Sequence, residues 1–369
     1  QTYTDPSPAA EKKFYKVEPK VGFRSLKKIA VMGDSITAQG SSNATFLNAN
    51  GYYAWARLFN HGGWELVQNG SRWCFATGGK RSDEVSSLHR AEVIASGADA
   101  CVISYGTNDA YQLRTTTAFI AQAISDWQTF KAAGITPIAT TVLPMGSIGN
   151  SDPRRQAQVA DYNIALREAA SAHQVALCDW SPLLEKAPGT NNGVALDSYF
   201  PTNDHLHPKP YPCSLLGRAL ASTIANNFHL PTDVWENSLW ITPNIQFLGV
   251  NGQPSQWSAY APSGGAIRNK DLVTSPDGNW WELTIEKGTS AGNFSINSFE
   301  ANTGGNPSGK TLEVIAEIQV IEGSLDNIYL SLSSNGTRSA TMFGNIPEGP
   351  EVKTTDGVVI LRTLVATLG

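Results

Sequence analysis

Ser35, Asn108, Asp204 and His207 are residues whose types could together cleave an ester. A serine hydroxyl attacks a carbonyl only when a base takes its proton and an acid orients that base. Ser35 stands in Gly33-Asp34-Ser35-Ile36, directly after an apolar run, where a strand would end and the chain turn toward a helix. Taken alone it is better explained as a cap of that helix. A second such run leads into Gly106-Thr107-Asn108-Asp109. The Asn108 amide can donate to the negative oxygen of a tetrahedral intermediate, a contact worth roughly 3 kcal/mol. Without the serine, the same residues read as a turn that satisfies its own backbone. The last block is Asp204-His205-Leu206-His207-Pro208, on a polar loop before the final helical pattern. An Asp and a His three apart can meet side by side, the carboxylate holding one ring nitrogen while the other faces outward as a base. His207 is the expected base and His205 its competitor. The His-x-His pair also raises the question of a metal, but no further ligand-type residue lies at ligand spacing, and no metal or cofactor is expected.

These residues need a scaffold that brings distant loops to one edge. From Lys27 to about Phe228 short apolar runs alternate with helical patterns, the signature of βαβ units around a parallel sheet. Five strands are expected, at Ile29–Met32, Glu65–Gln68, Ala100–Tyr105, Thr136–Leu143 and Val175–Cys178, all apolar enough to be covered on both faces. One helix is expected from Asp152-Pro153, a capping Asp followed by Pro, with Val159, Tyr162, Leu166 and Ala169 on one face. Another runs from about Thr117 to Ala133 and stops at Gly134. After about Pro231 the pattern becomes alternating strands, such as Trp281–Glu286, Leu312–Val320, Ile328–Leu332 and Val358–Val365, between turns rich in Gly, Asn, Ser and Pro. The expected organisation is an extension over 1–25, an α/β domain over 26–232, and an all-β, jelly-roll-like sandwich over 233–369. In the extension, Phe14, Tyr15, Val17 and Phe23 are expected to pack against a neighbour.

The blocks Gly33-Asp34-Ser35-Ile36, Gly79, Gly106-Thr107-Asn108-Asp109 and Asp204-x-x-His207-Pro208, in this order, resemble the SGNH hydrolases, also called the GDSL esterase family. The resemblance implies a flavodoxin-like α/β/α fold with a five-stranded parallel sheet. It implies Ser35 as nucleophile, His207 as base and Asp204 as its orienting acid. The Ser35 and Gly79 backbone N–H groups and the Asn108 side chain would form the oxyanion hole. Ile36 stands where the family has leucine, Gly78 adjoins Gly79, and Ala187 to Asn203 form a long insertion expected to shape the pocket rim. Gly79 is preferred because Ser82, Asp83 and Val85 follow it as a helix start should. The α/β-hydrolase alternative would need a Gly-x-Ser-x-Gly elbow, which does not occur.

Trp73, Tyr111, Trp180 and Tyr199 flank these loops as candidate sugar platforms, although ordinary packing explains each singly. The loops carry no run of Leu, Ile, Met or Phe for a fatty chain, so short acyl groups are expected. The expected substrate is an O-acetylated carbohydrate or another small ester. A lipase or thioesterase is the rival, and a non-catalytic glycan-binding or viral-tail protein the rival of another class. Trp240, Trp257, Trp280 and Trp281 make the second domain similar to glycan-binding sandwiches.

The 369 residues carry a net charge of −5, which offers no field for nucleic acid or anionic membranes, and no apolar run approaches a bilayer span. The chain begins without methionine, as a processed secreted protein or a fragment would, and an extracellular or viral-tail location is expected. Cys74 and Cys213 lie on loops near the proposed site and could form a disulfide, whereas Cys101 and Cys178 are expected to be buried thiols. Gly304–Thr311 has P-loop spacing in letters, but a P-loop must open a helix and an alternating strand follows here, so nucleotide binding is not expected.

Overall fold

The structure is a computed structural model. It describes residues 27–41, 46–47, 50–60, 63–146, 152–201, 203–228 and 230 and, beyond these, the strand segments between 249 and 367 named below. The N-terminal extension, with Phe14, Tyr15, Val17 and Phe23, lies outside the described residues, as does Trp240.

The α/β half begins with β1 (Lys27–Gly33), α1 (Ser35–Ala38), β2 (Phe46–Leu47), α2 (Tyr52–Phe59), β3 (Trp64–Leu66), β4 (Phe75–Ala76) and α3 (Ser82–Ala95). It continues with β5 (Ala100–Ser104), α4 (Thr107–Tyr111), α5 (Thr116–Ala132), β6 (Thr136–Thr140), α6 (Pro153–Ala172), β7 (Ala176–Cys178), α7 (Ser181–Leu184) and α8 (Pro210–Asn227). The sheet order is β3-β1-β5-β6-β7, every pairing parallel. The order reverses on either side of β1, between β3 and β5, which opens a crevice at the carboxyl ends of the strands.

Strand alternation divides the core into two layers. On β1, Ile29 and Val31 join one apolar cluster, while Ala30 and Met32 join the other, and all four are fully buried. β5 repeats this, with Ala100 and Val102 on the first face and Cys101 and Ile103 on the second. The first layer receives α2 and α8 through Tyr52, Tyr53, Leu216, Leu220 and Ile224. The second receives α3, α5 and α6 through Val85, Phe119, Trp127, Phe130, Val159, Tyr162 and Leu166. This is the three-layer α/β/α arrangement expected. The capping signals hold as well: Asp152 accepts from Arg154 N–H with Pro153 in the first turn, and α5 ends just before Gly134.

Two strands differ from expectation for identifiable reasons. Thr136–Leu143 pairs only as far as Thr140, because side chains then replace the ladder. Val142 N–H donates to Asn163 Oδ1 at 2.8 Å, and Asn163 Nδ2 returns a bond to Val142 O at 2.9 Å. The edge beside β1 is shared by β3 and the unexpected β4, joined through an Asn69–Arg72 turn, so the sheet has six strands. A two-residue strand is too short to leave a periodic signal.

The later strands pair antiparallel: β8 (Gly249–Val250) with β9 (Gln253–Pro254), β10 (Trp257–Tyr260) with β13 (Ser295–Ser298), and β11 (Gly265–Ser275) with β12 (Gly278–Lys287). So do β14 (Thr311–Leu312) with β19 (Ala366–Thr367), β15 (Ile315–Gln319) with β18 (Val358–Arg362), and β16 (Tyr329–Ser334) with β17 (Thr337–Met342). β17 also pairs parallel with β2. How these pairs stack into the expected sandwich lies outside the described residues, as do Gly304–Lys310, but the residues after the P-loop-like letters form β14 rather than a helix. Among the described residues, no helix is long and apolar enough to cross a membrane, and no group of three or more His, Cys, Asp or Glu could hold a metal.

Candidate active site

β1 delivers Gly33, Asp34 and Ser35 to the carboxyl edge of the sheet. A Cβ on Gly33 would stand 2.1 Å from Ser104 O and 2.2 Å from Thr37 Oγ1, so only glycine lets β1 and β5 close against the first turn of α1. The helix cap is Asp34, whose Oδ1 accepts from Ile36 N–H at 3.0 Å. That assignment removes the competing role considered for Ser35 and leaves its hydroxyl free for another partner.

The partner is His207. Its Nε2 lies 2.8 Å from Ser35 Oγ, and its Nδ1 lies 2.6 Å from Asp204 Oδ2. The other carboxylate oxygen of Asp204 accepts from the backbone N–H groups of Leu206 at 2.9 Å and His207 at 3.1 Å. Three residues of spacing therefore suffice: one oxygen closes the turn and the other receives the ring. Burial raises the Asp204 pKa, but the Leu206 and His207 hydrogen bonds outweigh it and hold the carboxyl below the ordinary aspartate value. An ionised Asp204 keeps the proton on Nδ1, so Nε2 can accept from the serine. His205 is not brought to Ser35. Its carbonyl accepts from Gly146 N–H at 3.0 Å, and its Nε2 is buried without a partner.

Asp34 carries a second consequence. Burial pushes its pKa up to about 7, against a lowering by the Ile36 N–H bond, by His207 and by the Thr107 N–H. The unfolded carboxyl releases its proton near 3.8, so between the two values the folded state holds the extra proton. The resulting stability is complete below about pH 4 and is lost as pH rises through about 7, a change of about 4 kcal/mol. Asp34→Asn keeps the capping oxygen and is expected to flatten this slope. Thermal melts at pH 5 and pH 8 should then differ less in the variant than in the parent; equal pH dependence in both would contradict the assignment.

The oxyanion candidates lie on the Gly79 loop and in the first turn of α4. Gly79 adopts φ +74°, a left-handed conformation that a side chain would strain, while a Cβ on Gly78 would touch Ser35 Cβ at 3.5 Å. Asn108, in the first turn of α4, donates through Nδ2 to Lys80 O at 3.1 Å, which ties it to the Gly79 loop. Asp109 makes the same connection underneath. Fully buried, it accepts from Ser82 N–H at 2.7 Å, Ser82 Oγ at 2.8 Å and Arg114 Nη1 at 2.9 Å. Reasoning from sequence missed Asp109 and Arg114 as organisers of the site, although an acid directly after Asn108 was the available signal.

Residues 31–211 match the model of the GDSL-like lipase/acylhydrolase family. The chain carries a GDSL-like lipase/acylhydrolase domain. Similar solved structures include a lipase/acylhydrolase from Enterococcus faecalis, at 21% identity, covering 56% of this chain and 99% of that one with a TM-score of 0.42. A catalytic mutant of an acetylxylan esterase from Geobacillus stearothermophilus is 18% identical, with coverages of 55% and 95% and a TM-score of 0.43. A GDSL-like lipase from Bacteroides thetaiotaomicron is 20% identical, with coverages of 55% and 89% and a TM-score of 0.40. No curated protein matches the sequence.

Within the GDSL-like domain the aromatic candidates separate. Trp180 is fully buried, donates from its indole N–H to Leu216 O at 3.1 Å and packs edge-on against Tyr52, so it is a core residue and no sugar platform. Trp73 is likewise buried in the first core layer. Both lie so close to strands that the sheet claims their rings. Tyr199 is partly buried beside Tyr211, with ring centroids 5.9 Å apart. Tyr111 is 40% exposed, and the Arg155 guanidinium covers one ring face at 3.6 Å. The disulfide considered for Cys74 and Cys213 does not form: all four thiols are free and buried. Cys213 belongs to α8 rather than a loop, and its Sγ donates to Asn50 O at 3.2 Å.

Proposed function

We propose that the domain is a serine esterase acting on short acyl esters, most suitably an O-acetyl group on a carbohydrate, with Ser35, His207 and Asp204 as its catalytic triad. The observation that carries this reading is the unbroken relay from Ser35 Oγ through the His207 ring to Asp204, with contacts of 2.8 and 2.6 Å. In the first half-reaction Ser35 Oγ attacks the ester carbonyl while His207 Nε2 takes its proton. The carbonyl oxygen becomes negative and is received by the Ser35 and Gly79 N–H groups and Asn108 Nδ2. Collapse expels the alcohol, which recovers the proton from His207, and leaves an acyl-serine. Water, deprotonated by His207, then attacks the acyl carbon and frees the acid. Residues 233–369 are proposed as an accessory domain that positions a polysaccharide, outside the 26–232 catalytic domain.

Two measurements test this. Aryl acetate, butyrate and octanoate are compared for kcat/KM, and a fluorophosphonate probe is mapped by mass spectrometry. Acetate preference with the probe on Ser35 is the expected result. Preference for octanoate would favour the lipase reading, and no turnover of any ester by folded protein would overturn the esterase. A glycan panel over the whole chain and over the chain cut after 232 tests the accessory role, which fails if removal changes no binding.

A further inference from the structure

Beside Asn108 lies a charged group that the triad does not use. Tyr111 follows Asn108 by three residues on α4, so both project from the same face of that helix. The Arg155 guanidinium lies 3.6 Å from the centre of the Tyr111 ring. Its Nε is buried without a hydrogen-bond partner, and Asp152 is its nearest electrostatic partner. The neighbouring acid is taken: Asp152 receives Arg154 at 2.8 to 3.2 Å through both carboxylate oxygens. The other cations on this edge are also engaged, Lys80 by Glu84 at 2.9 Å, Arg81 by Asp83 at 3.0 Å and Arg114 by Asp109 at 2.9 Å.

The position of Arg155 is set by α6, and that of Tyr111 by α4. α4 follows β5 and α6 follows β6, so both begin at the carboxyl edge where Ser35 stands. Gln156, next to Arg155, donates from Nε2 to Met145 O at 3.2 Å, and Gly146 N–H donates to His205 O at 3.0 Å, two residues before His207. Arg155 thus rests on the helix of Asn108, one residue before the Gln156 side chain that is tied to the strand end leading to Gly146 and His205. Stacking on Tyr111 holds its plane fixed, and a planar guanidinium fork is matched by a carboxylate.

We infer that Arg155, held on Tyr111, is a subsite for a carboxylate on the alcohol half of the ester, so that the preferred substrate is an acetylated acidic sugar such as a uronate. This rests on the esterase reading above and names its substrate class.

The test compares kcat/KM for a mono-O-acetylated methyl glucuronide, the matching glucoside and the matching glucoside 6-phosphate, in the parent, Arg155→Leu and Arg155→Lys. The parent is expected to favour the glucuronide over the glucoside by about tenfold, the worth of one charge-assisted hydrogen bond. Raising salt should shrink the preference. Arg155→Leu should lower the glucuronide to the level of the glucoside and leave the glucoside unchanged, with Arg155→Lys intermediate. Equal rates on both sugars in the parent, or a loss in Arg155→Leu that is the same for both, overturn the subsite alone. Preference for the phosphate over the glucuronide overturns the carboxylate assignment. Failure of the folded parent on simple aryl esters as well overturns the esterase reading and the subsite with it.

Discussion

His207→Ala and Ser35→Ala are each expected to lower kcat on an aryl acetate by about 10⁵- to 10⁶-fold, and the double variant by no more than either alone. Non-additivity follows from the relay: without the base Ser35 Oγ keeps its proton, and without the hydroxyl the base has nothing to take. Asp204→Asn should cost somewhat less, about 10⁴-fold, because the ring remains near the serine while its tautomer is no longer enforced. His205→Ala is the decisive control. Its structural bond to Gly146 is made by the backbone carbonyl, which alanine keeps, and its Nε2 has no partner to lose. That variant should retain most activity. Steady-state kinetics on variants with parent-like circular dichroism provide the measurement, and a His205→Ala loss comparable to that of His207→Ala would reverse the assignment of the base.

Asn108→Ala is expected to reduce kcat by about 10²- to 10³-fold with little change in KM, since the amide meets the oxygen only when it becomes negative. The affinity of a boronate that mimics the tetrahedral state should fall in parallel, whereas binding of the product acid should change little. Part of the loss comes through the Gly79 loop, because Asn108 Nδ2 also donates to Lys80 O. Lys80→Ala retains that carbonyl and controls for the Lys80 side chain alone: it should leave kcat near the parent value. An Asn108→Ala variant whose KM rises while kcat holds would show that the amide binds ground-state substrate instead.

Much of the site is legible in the amino-acid sequence alone. Asp204 and His207 meet because the carboxylate closes its own turn, a local property of three residues. Ser35 is ambiguous for a comparable reason: an acceptor at a helix start serves as a cap or as a nucleophile, and only the Asp34 bond to Ile36 N–H assigns the cap elsewhere. Trp180 shows the opposite limit. A tryptophan after a strand has the same letters whether it faces a crevice or the interior, and its burial depends on Leu216 of the distant α8. The early end of β6 is equally hidden, since Asn163 of α6 intervenes from 21 residues away.

By itself, then, the sequence determined the α/β alternation, the helix caps, the order of the four blocks and the Asp-His pair, because each depends on neighbours within a few residues. Which groups meet is settled only by folding: Ser35 with His207, Asn108 with the Lys80 carbonyl, Asp109 with Ser82, and Arg155 over Tyr111. The three hydrogen bonds among these join residues 27 to 172 positions apart. No local preference encodes them. They exist because a parallel sheet returns every strand to the same edge.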